Sequence, residues 1–289
     1  MTATEVLVVG AGYVGSRLLR RLPAGSAWGL RRGPSDDTRQ RMLEVDLDRD
    51  VPDLPAAQTI VYTVPPARSE TDPRLPRLLN AIKVMPKRFV YFSTTGVYGD
   101  RGGARVAEDA ELNPTTPRAQ RRVAAEKLLQ QWCDLRDVEL TILRVPGIYG
   151  PGRLRLDRIR EGEAILREQD AGPANRIHVD DLVTCALAAL DPGRPAGIYN
   201  VGDGDERNSS WFTKTVAELA GLEQPPEISL AAAEREFSDM RLSFLKESRR
   251  CDVRRMREVL RVELAYPDAR DGIRASLPEN LATADEHPR

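Results

Sequence analysis

The chain has 289 residues, with 43 Lys+Arg against 44 Asp+Glu and a formal net charge of -1. That length suits one large domain, or one large and one small domain around a shared cleft, and the balanced charge, with no concentrated basic stretch, argues against a nucleic-acid partner. Cys133, Cys185 and Cys251 show neither C-x-x-C spacing nor disulfide density, no apolar run approaches the roughly 20 residues of a membrane span, and neither His178 nor His287 has a carboxylate array around it. These features predict a cytoplasmic protein with no membrane partner and no protein-ligated metal.

Short apolar, β-rich runs at 5–9, 27–30, 59–64, 88–93 and 138–145 read as strands. Between and after them, 14–22, 73–84, 117–135 and 180–190 have helical length or helical apolar spacing. Continuous apolar runs mark parallel strands buried on both faces, and their alternation with helices predicts right-handed βαβ units. The expected fold class is α/β, a Rossmann-like doubly wound parallel sheet with a smaller C-terminal substrate lobe. Residues 1–150 form the nucleotide-binding part, to which 176–202 return through a strand at 198–201. The rest of 151–289 reads as the smaller, interleaved lobe, with helical patterns at 253–260 and 269–276. The segment 101–117, rich in Gly, Pro and charge, reads as an exposed loop at the strand ends, where such folds hold their ligands.

The first strand runs directly into Gly10-Ala11-Gly12-Tyr13-Val14-Gly15 and then a helix. In that context Gly10 permits a tight turn, Gly12 lets a pyrophosphate approach the backbone, Gly15 allows close helix–strand packing, and the helix start offers N–H donors through Tyr13 and Val14. NAD-specific versions place an acid at the end of the second strand, whereas this chain reads Gly29-Leu30-Arg31-Arg32. Guanidinium groups there suit a 2′-phosphate, so NADP(H) is favoured over NAD(H), which the loop also admits. Asp46, after a short third strand, is a candidate partner for the adenine amino group, or else a turn former.

The string Arg88-Phe-Val-Tyr-Phe-Ser-Thr-Thr-Gly-Val-Tyr-Gly99 resembles the fifth-strand segment of the extended short-chain dehydrogenases/reductases, the NAD-dependent epimerase/dehydratase family. Segments 143–152, 176–182 and 199–202 resemble later segments of that family, in order. The resemblance implies a Ser/Thr at the end of the fifth strand, matched by Thr94, that binds the reacting oxygen. It also implies contacts to the cofactor from Val64, Pro65 and Pro146. It further implies a Tyr general acid/base and, four residues on, a Lys that holds the nicotinamide ribose. Aligned on Pro114 and Glu126, Arg118 falls at the Tyr position and Arg122 at the Lys position, and none of the seven tyrosines has a Lys four residues on. Arginine stays protonated and cannot exchange a proton near neutral pH.

The sequence therefore resembles an atypical branch of the family that keeps the fold and loses the Tyr-Lys pair. Tyr98 is the first candidate for a substitute acid. Arg118 and Arg122, one helical turn apart, share a face that could meet an anionic substrate or the cofactor phosphates, or could simply be solvated. Tyr149, Arg176, His178 and Arg249 are candidate substrate contacts. Tyr98 and Tyr149 can equally be packed aromatics, and His178 a packing residue beside a helix capped by Asp180. Two functions stay open: an NAD(P)(H)-dependent epimerase/dehydratase-like oxidoreductase acting on a polar, sugar-like or anionic small molecule, and a non-catalytic NADP(H)-binding sensor or scaffold. Members of the family often dimerise through the helices flanking the fifth strand, which leaves a homodimer open for this chain.

Overall fold

The computed structural model describes residues 4–35, 39–49, 51–67, 69 and 72–279; His287 lies outside them. In chain order the elements are β1 (Thr4–Val9), α1 (Gly15–Arg21), β2 (Ala27–Arg31), β3 (Arg41–Glu44), β4 (Ala57–Tyr62), α2 (Arg74–Ala81), β5 (Arg88–Thr94), a 3-10 turn (Thr95–Tyr98), β6 (Arg105–Val106), α3 (Pro117–Asp134), β7 (Glu139–Val145), β8 (Gly147–Tyr149) and α4 (Leu156–Arg160). There follow β9 (Ile165–Leu166), β10 (Arg176–His178), α5 (Val179–Leu190), β11 (Gly197–Asn200), α6 (Ser209–Leu219), β12 (Glu227–Ile228), α7 (Leu230–Glu236), α8 (Asp239–Lys246), β13 (Arg250–Cys251), α9 (Arg254–Glu258) and α10 (Ala269–Ser276).

Seven strands pair in parallel in the order β11-β7-β5-β4-β1-β2-β3. Alternate residues along each strand bury to opposite sides. Val6, Val8, Val61, Val90 and Phe92 pack with Leu18 and Leu19 of α1 and with Leu182 and Cys185 of α5. Leu7, Val9, Ile60, Phe89 and Tyr91 pack with Leu75 and Leu78 of α2 and with Leu129 and Trp132 of α3. Both faces are thus covered, which is why the strands read as unbroken apolar runs. Strand order reverses between β1 and β4, the point at which a sheet of this kind opens a ligand crevice at its carboxyl end.

A smaller cluster, with Tyr149, Leu154, Ile159, Val216 and Ile273, gathers α4, α6 and α10 beside the sheet. The pattern at 269–276 is a helix with those bounds, whereas α1 is shorter than 14–22 because residues 11–14 form the turn before it. The expectation of an exposed loop over 101–117 needs correcting. Its middle forms β6, which pairs with β13, and Val106 is buried with Tyr98, Val123 and Cys251. Residues near the C-terminus are thereby pinned over the end of β5. Among the described residues no helix is long and apolar enough to cross a membrane, and no group of His, Cys, Asp or Glu is placed to hold a metal ion.

Candidate functional site

The three loop glycines meet three different demands. Gly10 has φ +102°, a region L side chains rarely adopt, and a Cβ there would strike Thr63 and Val64. Its carbonyl accepts from Thr63 Oγ1 at 2.7 Å, while the Gly10 and Ala11 N–H groups donate to Leu30 O at 3.0 and 2.8 Å, tying the loop to β4 and β2. A Cβ on Gly15 would collide with the Gly10 carbonyl oxygen, so α1 lies directly on the turn. Gly12 alone has nothing within 4 Å of the place its Cβ would take. That bare, open backbone is what close approach of a diphosphate requires, and the residues present fit a dinucleotide.

Around the loop, Val14 is buried and Tyr13 half-buried, with its hydroxyl donating to Pro151 O at 3.0 Å. Arg31 and Arg32 are both exposed at the end of β2. The Asp46 carboxylate accepts the Asp48 N–H at 3.1 Å and lies 3.7 Å from Arg49, so it closes a turn. Val64 packs where a Gly10 side chain would go, Pro65 is exposed with its carbonyl accepting from Arg74 at 3.1 Å, and Pro146 is half-buried beside Gly202.

Thr94, half-buried at the end of β5, accepts the Gly96 N–H at 3.2 Å and so caps the 3-10 turn, leaving its own hydroxyl proton to donate. On α3, begun by Thr116 as N-cap and Pro117 in the first turn, Arg122 turns inward and donates to Phe92 O at 2.6 Å and to the Tyr91 hydroxyl at 3.2 Å. Arg118 is half-buried on the same helix. Burial disfavours its charge, and the Glu247 carboxylate supports it against the repulsion of Arg249. Glu247 in turn accepts from Arg249 Nη1 at 3.2 Å and from Thr115 Oγ1 at 3.1 Å, and Arg249 also donates to Gly99 O at 2.6 Å. The fold thus brings Arg118 and Arg249 together through Glu247. Sequence reasoning missed Glu247, although it stands two residues before Arg249 in the strand-flanking segment.

Four of the candidate residues, Tyr98, Tyr149, Arg176 and His178, are buried. Tyr98 is 0% exposed, its hydroxyl held between Asn200 Oδ1 at 2.7 Å and Arg144 Nη1 at 2.8 Å, and burial pushes the phenol up to about 12. It packs with Val97, Val106, Val123 and Cys251. Tyr149 is buried edge-on to His178 and Phe212, its ring against Gly272, where a side chain would collide with the phenol. Burial pushes the pKa of this phenol well above its ordinary value. His178, not Asp180, caps α5: its Nδ1 accepts the Asp180 N–H at 3.2 Å. Its Nε2 therefore carries the proton and meets Ser276 Oγ at 3.1 Å, and burial lowers its basicity. Arg176 is buried, pairs with Asp205 at 3.3 Å and donates to the carbonyls of Arg207 and Asn208. It braces the 203–208 segment from a buried position.

A parallel sheet wound in this order, with an open glycine loop at its reversal point, defines a doubly wound α/β protein of the dinucleotide-binding class. Residues 75–202 match the sequence profile of the NAD dependent epimerase/dehydratase family. It is 28% identical over 200 residues to the UDP-glucose 4-epimerase of Mycolicibacterium smegmatis, an alignment that takes in 64% of this chain and 60% of the relative. The chain thus spans less than two thirds of that enzyme's length. A functionally unknown conserved protein from Silicibacter pomeroyi DSS is 30% identical, with a TM-score of 0.80 over 94% of this chain and 98% of that one. MoeE5, solved in complex with UDP-glucuronic acid and NAD, is 25% identical, with a TM-score of 0.75 over 94% of this chain and 97% of its own.

Proposed function

We propose that the chain is an NADP(H)-preferring oxidoreductase of the epimerase/dehydratase type that acts on a small, polar, anionic or sugar-like metabolite. The observation that carries this reading is the bare edge of Gly12 at the strand-order reversal, with exposed Arg31 and Arg32 at the neighbouring strand end. In this reading the loop backbone from Gly12 to Gly15 holds the diphosphate, Arg31 and Arg32 hold a 2′-phosphate, and Val64, Pro65 and Pro146 line the path between. A bound nicotinamide would supply the hydride acceptor or donor.

The chain's own contribution to chemistry is positional. Thr94 donates its hydroxyl proton to the reacting oxygen, and Arg118 with Arg249 orients an anionic group of the substrate. Arg118 and Arg122 take the places of the family's Tyr and Lys, and a guanidinium neutralises charge without shuttling a proton. Loss of general acid–base help is worth about 10²–10⁴ in rate, so turnover of nucleotide sugars by the family's usual route falls below ~1 s⁻¹, the low end of ordinary enzymes.

The test incubates the purified protein with NADP(H) or NAD(H) and a panel of nucleotide sugars and small polar acids, following nicotinamide absorbance, with Thr94→Ala alongside. The expected result is slow, cofactor-linked turnover that Thr94→Ala reduces at least tenfold. Tight dinucleotide binding with neither a change in nicotinamide absorbance nor conversion of any panel member to a new product would replace this reading with that of a cofactor sensor.

A further inference from the structure

Tyr13, inside the glycine loop, is held between two guanidinium groups. Arg17 Cζ lies 4.1 Å from the centroid of its ring and Arg153 Cζ lies 3.8 Å from it. Arg17 comes from α1 and also donates to the Tyr13 carbonyl at 2.8 Å, so its charge rests on the loop backbone itself. Arg153 comes from the turn after β8, where Pro151 O accepts the Tyr13 hydroxyl and Gly150 sits against that hydroxyl. Cation–π attraction to one ring accounts for the stacking but leaves two like charges beside each other.

Neither arginine makes an ion pair with a carboxylate among the described residues. The charged and titratable groups that face Tyr13 are Arg17, Arg153 and Asp180, and Arg17 also acts on His178, whose charged form burial disfavours. The Asp180 side chain is half-exposed and lies 3.8 Å from that imidazole. One acid thus stands against two fixed cations, next to the only loop glycine with open space in front of it. Uncompensated like charges held together by the fold are stabilised by an anion of matching charge, and a dinucleotide's diphosphate carries about two negative charges.

We propose that Arg17 and Arg153 clamp the diphosphate of the dinucleotide between α1 and the turn after β8, so that cofactor binding reinforces the tie that Tyr13 and Pro151 already make between that turn and the glycine loop. The inference rests on the dinucleotide reading above, and adds two residues that the glycine-loop pattern does not contain. It separates their role from that of Arg31 and Arg32 by chemistry, because NADPH and NADH share the diphosphate and differ in the 2′-phosphate.

The experiment is calorimetric titration of the full chain with NADPH and NADH for the parent, Arg153→Ala, Arg153→Lys and Arg17→Gln, with unliganded melting curves to establish folding. Inorganic pyrophosphate as competitor supplies a second readout. Arg153→Ala is expected to weaken both dinucleotides by the same factor, tenfold or more, leaving the NADPH/NADH ratio unchanged, and to weaken pyrophosphate competition in parallel. Arg153→Lys, which keeps the charge, should recover most of the affinity, and Arg17→Gln should resemble Arg153→Ala. Parent-like affinities for both dinucleotides in a folded Arg153→Ala would overturn the clamp while leaving the dinucleotide reading standing. A loss confined to NADPH would also overturn it, by moving Arg153 to the 2′-phosphate. A parent that binds neither dinucleotide overturns both.

Discussion

The Tyr98 hydroxyl donates to Asn200 Oδ1 at 2.7 Å and accepts from Arg144 Nη1 at 2.8 Å, so one phenol joins the end of β5 to β7 and to the sheet edge at β11. Arg144 continues the chain to Glu126 of α3 through a 2.9 Å ion pair in which both side chains are buried, and Glu126 accepts from Ser93. Asn200 extends it the other way, donating to the carbonyls of Val106 and Asp252. This network fixes the level at which Thr94 and the 3-10 turn emerge beneath the cleft, and each member leaves a partner unsatisfied when removed.

Tyr98→Phe should therefore act on stability and not on chemistry. Removing the hydroxyl strands Asn200 Oδ1 and one Arg144 donor in a buried site, at a cost of about 1–3 kcal/mol. Urea unfolding should show that loss, while dinucleotide affinity stays within about twofold of the parent. Unchanged stability together with abolished turnover would return Tyr98 to the role of acid.

Gly12 and Gly15 should separate binding from folding. Gly12→Val places its side chain in open space and should melt like the parent, yet lose the melting shift that NADPH induces. Gly15→Ala drives a Cβ into the Gly10 carbonyl oxygen and should cost roughly 1–3 kcal/mol without any ligand present. A Gly12→Val protein that NADPH still stabilises to the parental extent would place the phosphate site elsewhere.

For Arg31 and Arg32 the expected signature is a change of ratio. Charge-assisted bonds to a 2′-phosphate are worth about 1.5–3 kcal/mol, roughly tenfold or more in favour of NADPH. The double Arg31→Ala/Arg32→Ala protein should bind NADPH and NADH alike, with NADH affinity unchanged. Equal affinities in the parent would discard the preference.

Asp203 predicts a pH dependence of opposite sign to that of His178. Burial raises Asp203 from 3.8 to about 7, and its Oδ2 has no hydrogen-bond partner among the described residues. The folded state therefore holds the proton more tightly, and the stability Asp203 contributes is full below about pH 4 and lost as pH rises through about 7. His178, lowered from 6.5, contributes stability that is present above that value and lost on acidification. Denaturant midpoints of the parent minus those of Asp203→Asn, taken from pH 4 to pH 8, isolate the first effect. The difference should fall as pH rises; a flat difference would mean that Asp203 titrates normally.

The glycine loop, the strands of the sheet and the helix at 269–276 were legible in the sequence because each depends on neighbours within a few residues: a positive φ, an apolar run, a helical period. The same locality let Arg118, Arg122 and Thr94 be placed on one helix and one strand end. Which side chains face the cleft is a different kind of property, decided by what packs against them from distant segments. Tyr98, Tyr149 and His178 stand at strand and turn ends whose sequence allows them either to face the cleft or to pack, and the fold covers them with β6 and β13, with Gly272 and with Ser276. Glu247 meets Arg118, and Arg153 meets Tyr13, only because the C-terminal segments and the turn after β8 return over the carboxyl ends of the strands. No period or spacing records such a meeting; it exists once the two faces of the sheet are buried and the chain has closed over its open end.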